Sequence, residues 1–324
     1  MDMKRRNKEI FEKFLAECKG KKFVIATHRR ADADGIASAY ALTTIFPNSV
    51  IAVPDELDEG GKKLAAKLDI KVNVLRKLKK SSFDGMIVVD ASSYAMIKDA
   101  VEWDVVLIID HHELDSVDMK ADYMIIDPDV PSTGEIIASL IGYENINKTI
   151  AFALSVAIIA DGARFKSATA ETFETIASLM KICEVPYVEL LDYAEPELSS
   201  SAKIAVMKAL QKLQFIWHAD YVIVTSETGS NESDAASLIA NIADVAFVAS
   251  WKDKEQETRI SARAGKRFPI GLNEIMKEVG EYFGGKGGGH QKAAGASAKE
   301  HPEAVLKKCV EILITKLEKI KVVS

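Results

Sequence analysis

Cysteine is scarce. Cys18, Cys183 and Cys309 are the only three in the chain, widely spaced and with no CxxC pair. That spacing argues against a zinc ribbon or a disulfide framework and fits a reducing cytosol. Long apolar runs are missing too: no stretch approaches the ~20 residues needed to cross a bilayer. The basic, amphipathic start MDMKRRNKEIFEKFL has no apolar signal-peptide core. The expectation is a soluble, cytoplasmic protein with no membrane partner. Nor is positive charge in excess, with 42 Lys+Arg against 48 Asp+Glu and a net charge of −6. A protein that coats long nucleic acid usually shows a basic surplus, so that class is disfavoured. Short anionic substrates in a locally positive pocket stay open.

What the chain does have is apolar residue in quantity, 48% of 324 positions, enough for about two domains with sizeable cores. Three apolar runs finish on acidic or histidine residues: KFVIATH into RRADAD, MIVVD at Asp90, and VVLIID into Asp110, His111 and His112. Such β-branched runs read as strands buried on both faces of a parallel sheet. Ligands of open α/β sheets bind beyond the carboxyl ends of the strands. His28, Asp32, Asp34, Asp90, Asp110, His111 and His112 therefore meet at one rim. Carboxylates so crowded raise each other's pKa, and a polynuclear metal site is the simplest way to hold them.

Strands are expected at 22–28, 49–53, 85–90, 104–110 and 122–127, with helices at 8–18, 34–45 and 60–68. From Thr133 the pattern turns helical, through TGEIIASLIGY, KTIAFALSVAIIAD, TAETFETIASLMKIC and VELLDYAE, punctuated by Pro131, Pro186 and Pro196. Residues 199–216 begin Ser-rich and continue with helical apolar spacing, which reads as a connecting helix. A new α/β pattern follows: strands in DYVIVTS, DVAFVASWKD and TRISARA, helices in SDAASLIANI and GLNEIMKEVGEYF, then GGKGGGHQKAAG before a helix from Pro302. The expected organisation is a catalytic domain over 1–198, a linker helix over 199–216 and a smaller α/β domain over 217–324.

Each candidate has a plainer reading. Asp32 and Asp34 would also suit a helix N-cap, although one Asp suffices for that; on an extended loop the two could serve different ions. Asp90 alone could make an Asx turn. Asp161, after the apolar run AFALSVAIIA, needs a partner if buried. The segment Gly284–His290 would serve as a flexible connector. It is no Walker A loop, since Lys286 is followed by Gly. As a site, Gly287, Gly288 and Gly289 would let backbone N–H groups approach a phosphate, with His290 donating and Arg263 binding it bidentately. Trp103, Trp217 and Trp251 read as packing residues, His218 and His301 as surface or capping residues, and RKLKK at 76–80 as a solvated face.

HRRADAD, VVD, DHH and ADGARF, in that order, resemble the four motifs of the DHH phosphoesterase superfamily. GGGHQKAAG, with SARAG upstream, resembles the DHHA1 domain of its RecJ and NrnA-like oligoribonuclease branches. The resemblance spans nearly the whole chain. It departs at Ala31, where Pro is common, at the basic pair Arg29-Arg30, and at Gly162-Ala163 in place of Thr-Gly; substrate preference is what these changes touch. The resemblance implies an N-terminal DHH domain with a parallel-sheet core, joined by a helical linker to a C-terminal DHHA1 domain. It implies one metal on His28, Asp32 and Asp90 and another on Asp34, Asp90, His111 and Asp161, with His112 facing phosphate and Asp110 orienting the histidines. Carboxylate-rich ligands with one imidazole per ion suit Mn²⁺, and Mg²⁺ less well, and two such ions stabilise attacking and leaving oxygens in phosphoryl chemistry.

The function implied is a two-metal phosphodiesterase on short single-stranded oligonucleotides, with 3′-phosphoadenosine 5′-phosphate as a side substrate. A RecJ-like exonuclease and a cyclic-dinucleotide phosphodiesterase are the alternatives within the class. A non-catalytic nucleic-acid-binding scaffold is the alternative outside it, disfavoured because every ligand position is filled. A second copy of the chain, in a homodimer, is a further partner compatible with the sequence.

Overall fold

The computed structural model describes residues 3–323 except 115, 116, 163, 164, 196, 197 and 266, with side chains described to residue 320. Ala163 and Arg164 of the ADGARF motif and Pro196 therefore lie outside the described residues. The chain forms two compact units, Met1–Glu197 and Leu198–Ser324.

In the first unit β1 (Val24–Ala26), β2 (Val50–Val53), β3 (Val72–Val74), β4 (Met86–Val89), β5 (Val105–Asp110) and β6 (Tyr123–Ile126) form one sheet. Its order is β3-β2-β1-β4-β5-β6 and every pairing is parallel. β4 is buried along its whole length and β5 at all but Val106, as strands covered on both faces must be. Alternate residues feed two cores. Ile25, Ile87 and Ile109 join one with α1 (Met3–Glu17), α2 (Ala33–Thr43), α4 (Thr133–Ile141) and α5 (Lys148–Asp161). Val24, Val88 and Ile108 join the other, with Leu75, Ile97 and Met119. α5 is apolar all round, with Ile150 to Ile159 continuously buried, the pattern of a helix enclosed by protein. Strand order reverses between β1 and β4, and that switch point is where the crevice for a ligand opens in such sheets.

The second unit contains a mixed sheet in the order β11-β12-β10-β9-β8-β7. Its strands are β7 (Gln214–His218), β8 (Tyr221–Glu227), β9 (Val245–Lys252), β10 (Glu257–Ala264), β11 (Gly287–Gly289) and β12 (Ala293–Ala298). Its helices are α8 (Ser200–Gln211), α9 (Glu232–Ile239), α10 (Leu272–Tyr282) and α11 (Pro302–Val323). α3 (Glu59–Lys67), α6 (Ala170–Cys183) and α7 (Tyr187–Ala194) complete the first unit.

Several expectations change. The helix expected over 199–216 stops at Gln211, and residues 214–218 form β7, because Phe215 and Trp217 pair across to Val224 and Val222 of β8. Trp217 does not pack: it is 74% exposed on that edge strand. His301 keeps its expected exposed place at the start of α11 and also stacks on Trp251, with ring centroids 4.4 Å apart. The leading helix begins earlier than expected, at Met3. The glycine-rich segment is no flexible connector; Gly287–Gly289 pair with Ala294–Ala296 in the sheet.

At Gly287 the absence of a side chain has a steric reason. A Cβ on Gly287 would lie 1.8 Å from the Met276 carbonyl oxygen of α10, and one on Gly280 would lie 2.4 Å from the Lys286 carbonyl carbon. Helix and strand backbones are thus in direct contact. Gly287→Ala should destabilise the second unit by about 1–3 kcal/mol, the usual cost of overpacking. Urea denaturation of the full chain is the check; unchanged stability would mean that α10 yields without cost.

Candidate metal centre

The rim of the first sheet is assembled from five elements. His28 leaves the end of β1. Asp32 caps α2, its Oδ1 accepting from the Gly35 N–H at 3.0 Å, so the capping reading holds without excluding another role. Asp34, in the first turn of α2, is 1% exposed. Asp90 directly follows β4 and has a left-handed backbone, φ 57°. Asp110 ends β5, followed by His111 and His112. Asp161 is the last residue of α5.

These groups converge. His28 Nε2 lies 3.2 Å from Asp90 Oδ2 and 3.7 Å from Asp32 Oδ1. His111 Nε2 lies 2.9 Å from Asp161 Oδ2 and 3.6 Å from Asp90 Oδ1. His28, Asp32 and Asp90 make one group able to hold an ion, and Asp34, His111 and Asp161 another; Asp90 also groups with His111 and His112. Both imidazoles are aimed. His28 Nδ1 bonds the Arg29 carbonyl at 3.0 Å and His111 Nδ1 the Val130 carbonyl at 3.3 Å. A carbonyl only accepts, so each Nδ1 carries the proton and each Nε2 faces inward, the arrangement that orients metal-binding histidines. Asp110, fully buried, accepts from the His111 and His112 backbone N–H groups at 2.9 and 3.3 Å and from His112 Nδ1 at 2.7 Å.

The electrostatics match this crowding. Burial, then the Asp90 and Asp161 charges, push the Asp34 carboxyl well above its ordinary range, and burial pushes Asp90 up. Burial opposes a charged His28, but Asp32 and Asp90 outweigh it and hold its pKa at about 11. His111 is held at about 10 against burial, by Asp161 and Asp34 first. The Asp110 hydrogen bond raises His112. Excess negative charge is being answered by protons, and a divalent cation would answer it equally well. The donor set is oxygen and imidazole, with no thiolate, which fits Mn²⁺ or Mg²⁺.

Two contributions were absent from the sequence reading. The N-terminus of α4 grips the cluster: the Thr133 and Gly134 N–H groups each donate to Asp34 at 2.8 Å, and the Thr133 hydroxyl donates to Asp90 at 3.2 Å. A helix N-terminus favours an anion in this way. The signal was there in Ser132-Thr133-Gly134-Glu135, an N-cap pattern. Asp58 also lines the cavity of about 210 Å³ that contains Asp32, Asp34 and Asp161, and burial raises its pKa.

The remaining candidates lie in the second unit. Arg263 of β10 is tied to α9, its Nε donating to Ser237 Oγ at 3.1 Å and an Nη to Ser233 Oγ at 2.9 Å. Register brings Arg263 opposite Ala293, whose carbonyl accepts from the His290 N–H at 2.8 Å. Arg263, Gly289 and His290 thus share one end of the sheet. Gly287 and Gly288 line a shallow cleft of about 380 Å³ with Arg259, Lys286 and Ser297. Packing against α10 already accounts for Gly287; a Cβ on Gly288 would meet nothing within 4 Å.

A rim of paired carboxylates and imidazoles on a doubly wound sheet defines a class of metal-dependent hydrolases, and comparison with known proteins narrows it. Residues 22–159 match the DHH family N-terminal domain and residues 219–319 the DHHA1 domain. An uncharacterized protein of Methanocaldococcus jannaschii is 31% identical over 286 residues, which are 84% of this chain and 85% of that one. An exopolyphosphatase-related protein from Bacteroides fragilis shares the fold at a TM-score of 0.76 and 18% identity, over 97% of this chain and 98% of that chain. A pGpG-specific phosphodiesterase from Vibrio cholerae does so at 0.51 and 13% identity, over 92% and 99%. The chain belongs to the DHH family, in a superfamily of metal-dependent phosphoesterases, and carries a DHHA1 domain.

The raised histidines predict how cation binding depends on pH. A neutral Nε2 is needed to ligate, yet His28 and His111 titrate near 11 and 10, so binding must expel their protons. Affinity for Mn²⁺ should therefore rise with pH below those values, by about tenfold per pH unit for each proton released. Calorimetry in two buffers of different ionisation enthalpy counts the protons. An affinity independent of pH between about 6 and 9 would contradict the assigned charge state.

Proposed function

We propose that the protein is a phosphodiesterase that uses two Mn²⁺ ions to hydrolyse short single-stranded oligonucleotides, releasing nucleoside monophosphates. The observation that carries the reading is the pair of triads, His28–Asp32–Asp90 and Asp34–His111–Asp161, with Asp90 within 3.6 Å of His111 and so able to serve both. His28, Asp32 and Asp90 would hold one ion, and Asp34, Asp90, His111 and Asp161 the other; bound there, such ions would neutralise charge on the phosphoryl oxygens and make a bound water more acidic.

The chain's own groups do the rest. Asp110 takes the Nδ1–H of His112 at 2.7 Å, which leaves His112 Nε2 to donate to a phosphate oxygen. That same bond raises the His112 pKa, which favours the protonated ring and its role as donor. Thr133 and Gly134 fix Asp34, so that Asp34 cannot swing towards solvent when the charge in the crevice changes. Arg263, Gly288, Gly289 and His290 bind phosphate or base edges of the substrate.

Substrate size follows from charge. The net charge of −6 and recognition by a handful of groups imply few phosphate contacts, and hence a gentle salt dependence. The Vibrio cholerae protein of similar fold, specific for pGpG, supports a substrate of dinucleotide scale. 3′-Phosphoadenosine 5′-phosphate presents the same phosphate chemistry and fits as a side substrate. The protein acts in the cytoplasm under this reading, where such fragments arise.

The test is a length series of 5′- and 3′-labelled RNA and DNA oligonucleotides with Mn²⁺ and Mg²⁺. We expect kcat/KM to be greatest for roughly two to five nucleotides, with a shallow salt slope. A steep rise from five to twenty nucleotides with a strong salt slope would assign a RecJ-like exonuclease instead, and cleavage confined to cyclic dinucleotides the other phosphodiesterase. Asp90→Ala should lower kcat by about 10³-fold or more, the scale seen when a unit acting together loses one member, and by more than Asp32→Ala or Asp161→Ala. Near-normal turnover in a folded Asp90→Ala variant would remove the two-metal reading.

A further inference from the structure

Beneath the loop that joins β6 to α4 lies a second, separate cavity in the first unit. It is lined by Asn7, Asp127, Glu135, Ser139, Tyr143 and Thr175, among others, and its volume of about 40 Å³ is room for about three waters. Glu135 lines this cavity while being only 3% exposed, and neither of its carboxylate oxygens accepts a hydrogen bond of good geometry among the described residues, although the Thr172 hydroxyl lies close enough to favour its charge. Asp127, 5% exposed, lies on the same wall. It is held loosely, by Asn7 Nδ2 at 3.4 Å and by the Asp129 N–H at 3.3 Å. Lys4, also on the lining, forms an ion pair with Glu171, and its charge reaches both buried acids as well, so one cation faces three carboxylates. Burial raises both acids above their ordinary range; the Thr172 hydroxyl and Lys4 favour a charged Glu135 but do not overcome it.

Two carboxylates facing one small polar cavity are costly unless something neutralises them. The side chains offered are oxygen donors: two acids, the Ser139 hydroxyl, and the Tyr143 and Thr175 hydroxyls, which lie 3.0 Å apart. With no imidazole or thiolate among them, the set suits a hard ion. We propose that this cavity binds one divalent cation of the Mg²⁺/Ca²⁺ class, held by Asp127 and Glu135, with hydroxyls and water completing its coordination.

The position gives such an ion a role. Asp127 and Glu135 are the two ends of one segment, and that segment holds the catalytic rim. The Asp127 N–H donates to the Asp110 carbonyl at 3.0 Å, and the Val130 carbonyl takes His111 Nδ1 at 3.3 Å. Thr133 and Gly134 grip Asp34 and Asp90. An ion joining the two ends braces the segment from behind, opposite to the residues it positions. The inference is independent of which phosphodiester is cleaved.

Ca²⁺ is the probe, added to the full chain in the presence of excess Mn²⁺, with bound metals counted by mass spectrometry after equilibrium dialysis. Wild type should hold about one Ca²⁺ that Glu135→Gln lacks, while Mn²⁺ content stays equal. Ca²⁺ should raise the Tm of wild type by several degrees and that of the variant much less. Mn²⁺ affinity should fall in Glu135→Gln, because the brace is lost. Should that variant not fold, Ser139→Ala and Asp127→Asn replace it, with Ca²⁺ affinity about tenfold weaker and Mn²⁺ content kept. Equal Ca²⁺ counts in wild type and variants would overturn the proposal. So would a Glu135→Gln protein more stable than wild type at every Ca²⁺ concentration, which would show that a proton neutralises Glu135.

Discussion

The first unit is organised around the crowding of Asp34 and Asp90. Each is almost wholly buried, each lies among other carboxylates, and neither would stay charged there without compensation. Compensation comes from every side at once. Two imidazoles present Nε2, a helix N-terminus presents N–H groups, and Thr133 presents its hydroxyl. Each of these donors is itself fixed by the backbone: His28 through the Arg29 carbonyl and His111 through the Val130 carbonyl. The parallel sheet makes the crowding unavoidable, since its strand ends all deliver their next residues to one rim.

Seen from the other side, the same loop that steadies the rim divides its labour by face. Its main-chain groups and Thr133 turn towards the metal-type cluster, while its terminal acids turn into a different cavity. Buried carboxylates therefore gather in two separate places along nine residues. A fold that keeps both places balanced gains a stiff support where a catalytic geometry must not drift.

Much of this was legible in the chain itself. β1, β2, β4 and β5 are visible as β-branched runs because burial on both faces leaves no polar alternation to confuse them, and β6 by its apolar Met124-Ile125-Ile126. β3 was missed: it has only three residues, none fully buried, and a central Asn73 whose amide bonds the Ile51 carbonyl of the neighbouring strand. The linker was read as a longer helix because Leu213, Phe215 and Ile216 continue an apolar spacing that suits a helix as well as an edge strand. β11 carries no side chains and so shows no pattern at all. The acids and histidines of the rim were legible because they follow strands directly. Thr133 and Gly134 were not, since two of their three bonds to the rim come from main-chain N–H groups that leave no mark in sequence.

The left-handed backbone at Asp90 has a consequence for how this chain could change over generations. At φ 57° glycine is at ease and asparagine and aspartate are tolerated, whereas β-branched and bulky residues are disfavoured. Asparagine and glycine are each one nucleotide change away from aspartate in the genetic code. A lineage could therefore shed the shared carboxylate in a single step while keeping the turn and the sheet around it. The most central residue of the rim is also among the easiest to lose without unfolding, so descendants that keep the architecture and abandon hydrolysis lie close by in sequence space.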